Sequence, residues 1–195
     1  MSRGLNGDEY DMSNTFGLTR ELGDKEYFRL SNAASDEMIH ALVAAGSALA
    51  ETEREKLMIV WLGDQHTYIC GMGNVGFDIV EMPWTKDGFE SEKAFILRCV
   101  EAAKNKLWWD RLGPELEGIL KEELVIPWLE SFGKLVEKMT VELVDEEERT
   151  EWLSWFGKLG KENIIREYPT CEKHKGILLS MYGCRFCVEL NENGG

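Results

Sequence analysis

Apolar residues recur at helical spacing in several stretches of the chain. Met38, Ile39, Leu42, Val43, Ala45 and Leu49 share one face of a 3.6-residue period. Ser35 offers a capping hydroxyl, and Asp36 and Glu37 put negative charge at the positive end of the helix dipole, so the pattern predicts a helix from Ser35 to near Ala50. A second stripe, Phe95, Ile96, Cys99, Val100, Ala103 and Leu107, follows Ser91 as its cap and ends at Trp108 and Trp109, with Glu92, Lys93, Arg98, Glu101 and Lys104 off the apolar face. Pro114 suits the first turn of a third helix, with Leu116, Ile119, Leu120 and Leu124 as its stripe. Pro127 is expected to break or kink that helix before Trp128, Leu129, Phe132, Leu135, Val136 and Met139 resume the period. Asp145 to Glu148 opens a fourth helix, whose apolar face is Trp152, Trp155, Phe156 and Leu159.

Elsewhere the period shortens. Lys56 to Gly63 is an apolar run of strand length, for which a buried strand is the first choice and a short buried helix the alternative. Asp64 to His66 is expected to turn. Thr67 to Cys70 and Val75 to Met82, separated by glycines, complete a predicted antiparallel meander. Phe16 to Leu30 mixes apolar and charged residues and leaves its secondary structure open. The expected fold class is α+β: a small antiparallel sheet, four or five amphipathic helices and a C-terminal zinc ribbon or knuckle. Residues 1–14 form a loose polar tail, 15–168 the α+β domain and 169–195 the zinc-binding ribbon packed on it.

The knuckle rests on ligand spacing. Cys171 and His174 stand two residues apart, as do Cys184 and Cys187, and each short loop can fold its pair onto one tetrahedral ion. Cys171, His174, Cys184 and Cys187 make a complete Cys3His set, which predicts one structural Zn2+ with no position open for water. Gly176 and Gly183 flank the strand-like run from Ile177 to Tyr182. So small a unit has little core of its own, and the ion would supply its folding energy.

Composition narrows the function. The chain has 195 residues, 44% hydrophobic and 30% charged, enough to bury a core. Its net charge of −14 disfavours nucleic acid and anionic membranes as partners and favours a basic protein. Acidic residues crowd the stretch from Gly113 to Glu151, and the balance reverses from Lys158 to Cys187. Met1 to Asn14 has no apolar leader, and no run approaches the ~18 apolar residues of a membrane span. The cysteine count is odd, five, and three of them (Cys171, Cys184 and Cys187) belong to one metal-type cluster, which favours a reducing cytoplasm over a disulfide framework.

Other features carry less chemistry. Gly71, Gly73 and Gly76 match the dinucleotide pattern G-x-G-x-x-G, but Pro83 and the β-rich run before it argue for a glycine turn between strands. Asp64, His66 and Cys70 could be assembled into a base and nucleophile, although a buried structural thiol is the commoner role of such a cysteine. Cys99 and His40 fall on helical faces as structural residues. Lys173, Lys175 and Arg185 could contact nucleic acid or, more simply, offset the thiolates.

The stretch from Trp61 through Met82-Pro83-Trp84 to Trp109-Asp110 resembles small bacterial proteins found beside polymorphic toxins. The resemblance implies an immunity protein that neutralises a cognate toxin, and the acidic bulk suits a basic target such as a nuclease. The sequence therefore predicts a cytoplasmic protein-binding module of the inhibitor type. Asp145, Glu146, Glu147, Glu148, Trp152 and Trp155 are its expected contact face. The alternatives are a zinc-stabilised enzyme using the Asp64–His66 turn and a nucleic-acid regulator acting through the basic zinc segment.

Overall fold

The computed structural model describes residues 14–19, 26–65, 76–111 and 121–188. Within them lie seven α-helices and one two-stranded antiparallel sheet, an α+β fold. The sheet is not the expected meander. It comes from the stretch whose character the sequence left open: β1 (Thr15–Gly17) pairs with β2 (Tyr27–Arg29), with Phe16 opposite Phe28. Their rings stack at 5.1 Å, and Phe16 meets Phe77 edge-on at 5.2 Å, so the small sheet is held by the core beneath it. Gly76 passes so close that a Cβ there would lie 2.3 Å from the Thr15 backbone.

Helix α1 (Asn32–Leu49) starts a turn earlier than expected. Ser31 is the cap, its hydroxyl accepting the Ala34 N–H at 3.3 Å, while Ser35 is buried inside the helix. Ala33 and Ala34 are strong helix formers, which carries the helix back to Ser31. The helix is apolar around most of its circumference because it runs through the centre of the core.

Helix α2 (Glu53–Asp64) replaces the strand expected over Lys56 to Gly63; the alternative, a buried helix, is the one that forms. A capping box decides it. The Thr52 hydroxyl accepts the Glu55 N–H at 3.2 Å, and the Glu55 carboxylate accepts the Thr52 N–H at 2.9 Å. With the start fixed, Leu57 to Gly63 are buried in sequence on a helix enclosed on all sides. Of the other two expected strands, Thr67 to Cys70 lies outside the described residues. Val75 to Met82 is overturned where it is described: Ile79–Glu81 is a short 3-10 turn, pinned by the Trp84 indole N–H donating to the Ile79 carbonyl at 2.7 Å.

Helix α3 (Phe89–Lys104) buries Phe95, Ile96, Cys99, Val100 and Ala103, the stripe the periodicity predicts. Its cap is Gly88, not Ser91, whose hydroxyl donates back to the Gly88 carbonyl. Glu92 is not on the solvated face; it is 2% exposed and accepts the Thr85 N–H and hydroxyl at 2.8 and 2.7 Å. The helix expected to open at Pro114 lies outside the described residues until α4 (Glu122–Lys138) begins. Pro127 does not break α4. It stands in the second turn on the exposed side, where its missing N–H removes one bond, and α4 continues to Lys138. Val125, Leu129, Phe132, Leu135 and Val136 face inward against α1 and α3.

Helix α5 (Glu146–Lys158) begins as expected, with Asp145 as cap accepting the Glu147 N–H at 2.8 Å. A short α6 (Glu162–Glu167) follows and ends where Tyr168 turns left-handed at φ 49°. The last described element is α7 (Arg185–Val188). No described helix is long and apolar enough to cross a membrane.

Candidate metal centre

After Tyr168 the chain folds into a tight loop. The Cys171 N–H donates to the Ile177 carbonyl at 2.8 Å, Ile177 N–H to the His174 carbonyl at 3.0 Å and Leu179 N–H to the Pro169 carbonyl at 2.9 Å. Gly176 and Gly183 both have positive φ, 90° and 99°, and supply the two reversals that an L side chain would resist. Isolated bridges, Thr170 with Leu178 and Ser180 with Gly183, stand where a ribbon strand was expected, so the unit is a knuckle. Cys184 stands just before α7 and Cys187 within it, with the Cys187 N–H on the Cys184 carbonyl at 3.0 Å.

These turns bring Cys171, His174, Cys184 and Cys187 together, with ligand atoms all within 4.8 Å of one another. The Sγ atoms of Cys171 and Cys187 are 3.6 Å apart. His174 Nδ1 lies 3.7, 3.6 and 3.4 Å from the sulfurs of Cys171, Cys184 and Cys187. With Zn–S near 2.3 Å and Zn–N near 2.0 Å, a tetrahedron has S–S edges of about 3.8 Å and S–N edges of about 3.5 Å. The Cys171–Cys187 distance and the three distances to His174 Nδ1 are close to those edges, and the sulfur pair is far wider than a disulfide bond of about 2.05 Å. The cluster can hold one metal ion.

The electrostatics suit a cation. Burial acts to raise the Cys171 thiol, but the N–H groups of His174 and Lys173 and the neighbouring thiols hold it below its ordinary range. The His174 N–H reaches that sulfur at 3.3 Å. Burial pushes the thiols of Cys184 and Cys187 up. An incoming ion therefore displaces protons, which makes its affinity pH-dependent. Cys171, His174 and Cys184 are buried and Cys187 is half-buried.

The knuckle is locked to the helices beside it. The Leu178 N–H donates to Ser47 Oγ of α1 at 3.1 Å. The Met181 N–H donates to Asp64 Oδ1 at the end of α2 at 2.7 Å. Ser180 packs so close to Gly63 that a Cβ on the glycine would lie 3.0 Å from the Ser180 Cβ. Phe186 stacks on His40 at 4.9 Å and touches the His174 ring at 5.7 Å, which gives His40 its structural place in the core. Arg185 corrects the expectation of a surface cation. It is 2% exposed, pairs with Asp36 and donates to the Gln65 carbonyl. Of the three basic residues, only Lys173 and Lys175 are exposed.

Of the expected Asp64–His66 turn, only Asp64 and Gln65 are described. His66 and Cys70 lie outside the described residues. Asp64 itself is the last residue of α2, and burial pushes its carboxyl up to about 7 against the pull of the Met181 N–H, the Ser180 hydroxyl, the Trp152 indole and nearby Lys161. Sequence reasoning missed this attachment, though it left a signal. A carboxylate on the last residue of an apolar helix sits at the negative end of the dipole, where it is unfavourable without dedicated donors. The Arg185–Asp36 pair has no comparable local signal.

The six residues expected to form a contact face are divided. Asp145 caps α5, and Glu146 accepts the Lys86 N–H at 3.1 Å. Trp152 turns inward and donates to Asp64 at 3.2 Å. Glu147 and Trp155 face out, with Glu151 between them and Leu159 beyond, and Glu148 is half-buried. Trp155 is 46% and Leu159 48% exposed, and the Lys158 ammonium sits 4.2 Å from the centre of the Trp155 ring. Known proteins supply no further guide: no family model, curated protein or solved structure matches the chain, and the site stands on its four donors and their spacing.

Proposed function

We propose that the protein is a protein-binding module of the inhibitor or immunity type, stabilised by one structural Zn2+ at Cys171, His174, Cys184 and Cys187. The donor set supports zinc, since three sulfurs and one imidazole within 4.8 Å of one another suit it better than oxygen-seeking cations. A full set of four protein ligands leaves no position for substrate, which favours a structural role.

The observation that carries the binding reading is the outward stripe of α5. Glu147, Glu151, Trp155 and Leu159 follow one another at four-residue spacing, acidic at one end and apolar at the other. A basic protein with an apolar pocket beside its Lys or Arg residues complements both ends, and the net charge of −14 would steer it in. Trp is a frequent anchor of such contacts.

The test is capture by tagged protein from a lysate of its source cells, with wild type beside Glu147→Lys/Glu151→Lys and Trp155→Ala. One basic protein recovered in near-equal amount by wild type, reduced by both variants and by high salt, is the expected result. Equal recovery by the charge-reversed variant would sink the α5 face. Elemental analysis should find one zinc per chain, and iron with visible absorption would replace zinc in this reading.

A further inference from the structure

The knuckle loop and α5 meet at a single carboxylate. Asp64 accepts the Met181 N–H through Oδ1 and the Trp152 indole N–H through Oδ2. The other end of the Met181 residue is held as well, because its carbonyl accepts from Lys161, the residue before α6. Around these polar contacts Val60, Phe156, Ile164 and Met181 form a small apolar cluster separate from the main core, with the Trp152 ring edge-on to Phe156 at 5.1 Å. Phe156 is the only fully buried residue of α5. The inward side of α5 thus rests on Met181, Val60 and Asp64.

Met181 lies between the two ligand pairs, on the loop from His174 to Cys184. An ion held by those pairs fixes both ends of that loop. We infer that Asp64 is a positioning residue that links the metal centre to α5: the ion sets the loop, Met181 engages Asp64, and Asp64 and Met181 together seat Trp152 and Phe156. Metal occupancy thereby sets the orientation of the outward stripe at Glu147, Glu151 and Trp155. The inference rests on the metal reading of the four ligands. Linkage is reciprocal, so a change at Asp64 also changes metal affinity by the factor by which metal alters the α5 seat.

The experiment is amide hydrogen exchange by mass spectrometry on the full chain, under reductant, zinc-loaded and after EDTA. Wild type, Asp64→Asn and Trp152→Phe are compared, and Zn2+ affinity is measured by competition with a chromogenic chelator. Chelation should speed exchange in α5 and α6 by about tenfold, the effect of losing one good hydrogen bond, while α3 and α4 stay protected. Asp64→Asn should speed α5 exchange with zinc still bound and weaken Zn2+ affinity by about the same factor. If Zn2+ does not bind at one per chain, the metal reading fails and the link with it. If Zn2+ binds but α5 exchange is indifferent to chelation, or Asp64→Asn leaves the affinity unchanged, the link is overturned and the metal reading survives. Loss of protection in α3 and α4 together with α5 would also overturn it, since the ion would then be holding the whole fold.

Discussion

The main core and the small cluster around Phe156 differ in what fills them. The main core is a helix-on-helix interior, with α1 at its centre and α2, α3 and α4 against it, closed by Phe16, Phe77, Trp84 and Phe132. It gathers dozens of buried apolar side chains, and burial of that extent stabilises without a metal. The cluster around Phe156 has four buried residues, one of them on the knuckle, and depends on hydrogen bonds to Asp64 and Lys161 to complete it. Where apolar area is plentiful, shape alone fixes the structure. Where it is scarce, polar anchors substitute for area, and an ion at the four ligands would add to them.

Ligand removal should give the largest split between the two regions. Cys184→Ser takes a donor from the centre, and loss of a structural metal is among the few changes costing about 4 kcal/mol or more. Thermal unfolding followed by circular dichroism should show an early transition for α5 and α6 before the main one. A single unshifted transition would remove the distinction. Phe132→Ala should act in the opposite place: about 3–5 kcal/mol from the main core, a lower main transition, and an unchanged zinc content in the folded protein.

Arg185→Ala comes close behind. It leaves the Asp36 carboxylate enclosed without its partner, a loss of about 3–5 kcal/mol when a buried pair is broken. Denaturant titration of Arg185→Ala, Asp36→Ala and the double variant would measure the coupling, and additive effects would deny it.

Asp64→Asn sharpens the comparison through pH. The carboxyl has an ordinary value of 3.8 and is pushed up to about 7 by burial. Between those values the folded protein binds the proton that the unfolded chain has released. Asp64 therefore lowers stability progressively as pH rises from about 4 to about 7, and the penalty is complete above that. Metal affinity runs the other way, since ligands must lose protons. The quantity to measure is the difference between Asp64→Asn and wild type across this window. It should favour the variant increasingly with pH; a flat difference would mean that Asp64 is ionised throughout. Trp155→Ala is the smallest effect, within about 0.5 kcal/mol in the same titration, because an exposed side chain stabilises little.

The two regions were also unequally legible in the sequence. The ligand pairs were readable because each is local: Cys171 with His174, Cys184 with Cys187. The stripe of α3 was readable because its period is unbroken, that of α4 only in part because Pro127 was expected to interrupt a helix that runs through it, and Asp145 announced α5. Helix α2 was masked by Ile59 and Val60, whose strand character outweighed a capping box one turn upstream. Strands β1 and β2 are three residues each and exist because Phe16 and Phe28 meet over the core, which no local pattern encodes. Trp152 and Trp155 share a periodic face, yet one is drawn inward by Asp64, 88 residues away in sequence.

The attachments of the knuckle span much of the chain. Met181 and Asp64 are 117 residues apart, and Arg185 and Asp36 are 149. Bringing such distant segments together costs chain entropy before any contact rewards it, and folding slows as contacts become less local. Helices α1 and α2 must already stand side by side before Arg185 can reach Asp36 and the Gln65 carbonyl at once. These separations predict that docking of the knuckle follows the packing of α1 against α2, which pulsed hydrogen exchange during refolding would test. An ion captured by the loose segment alone would leave those distant attachments unmade, since they need the helical body in place.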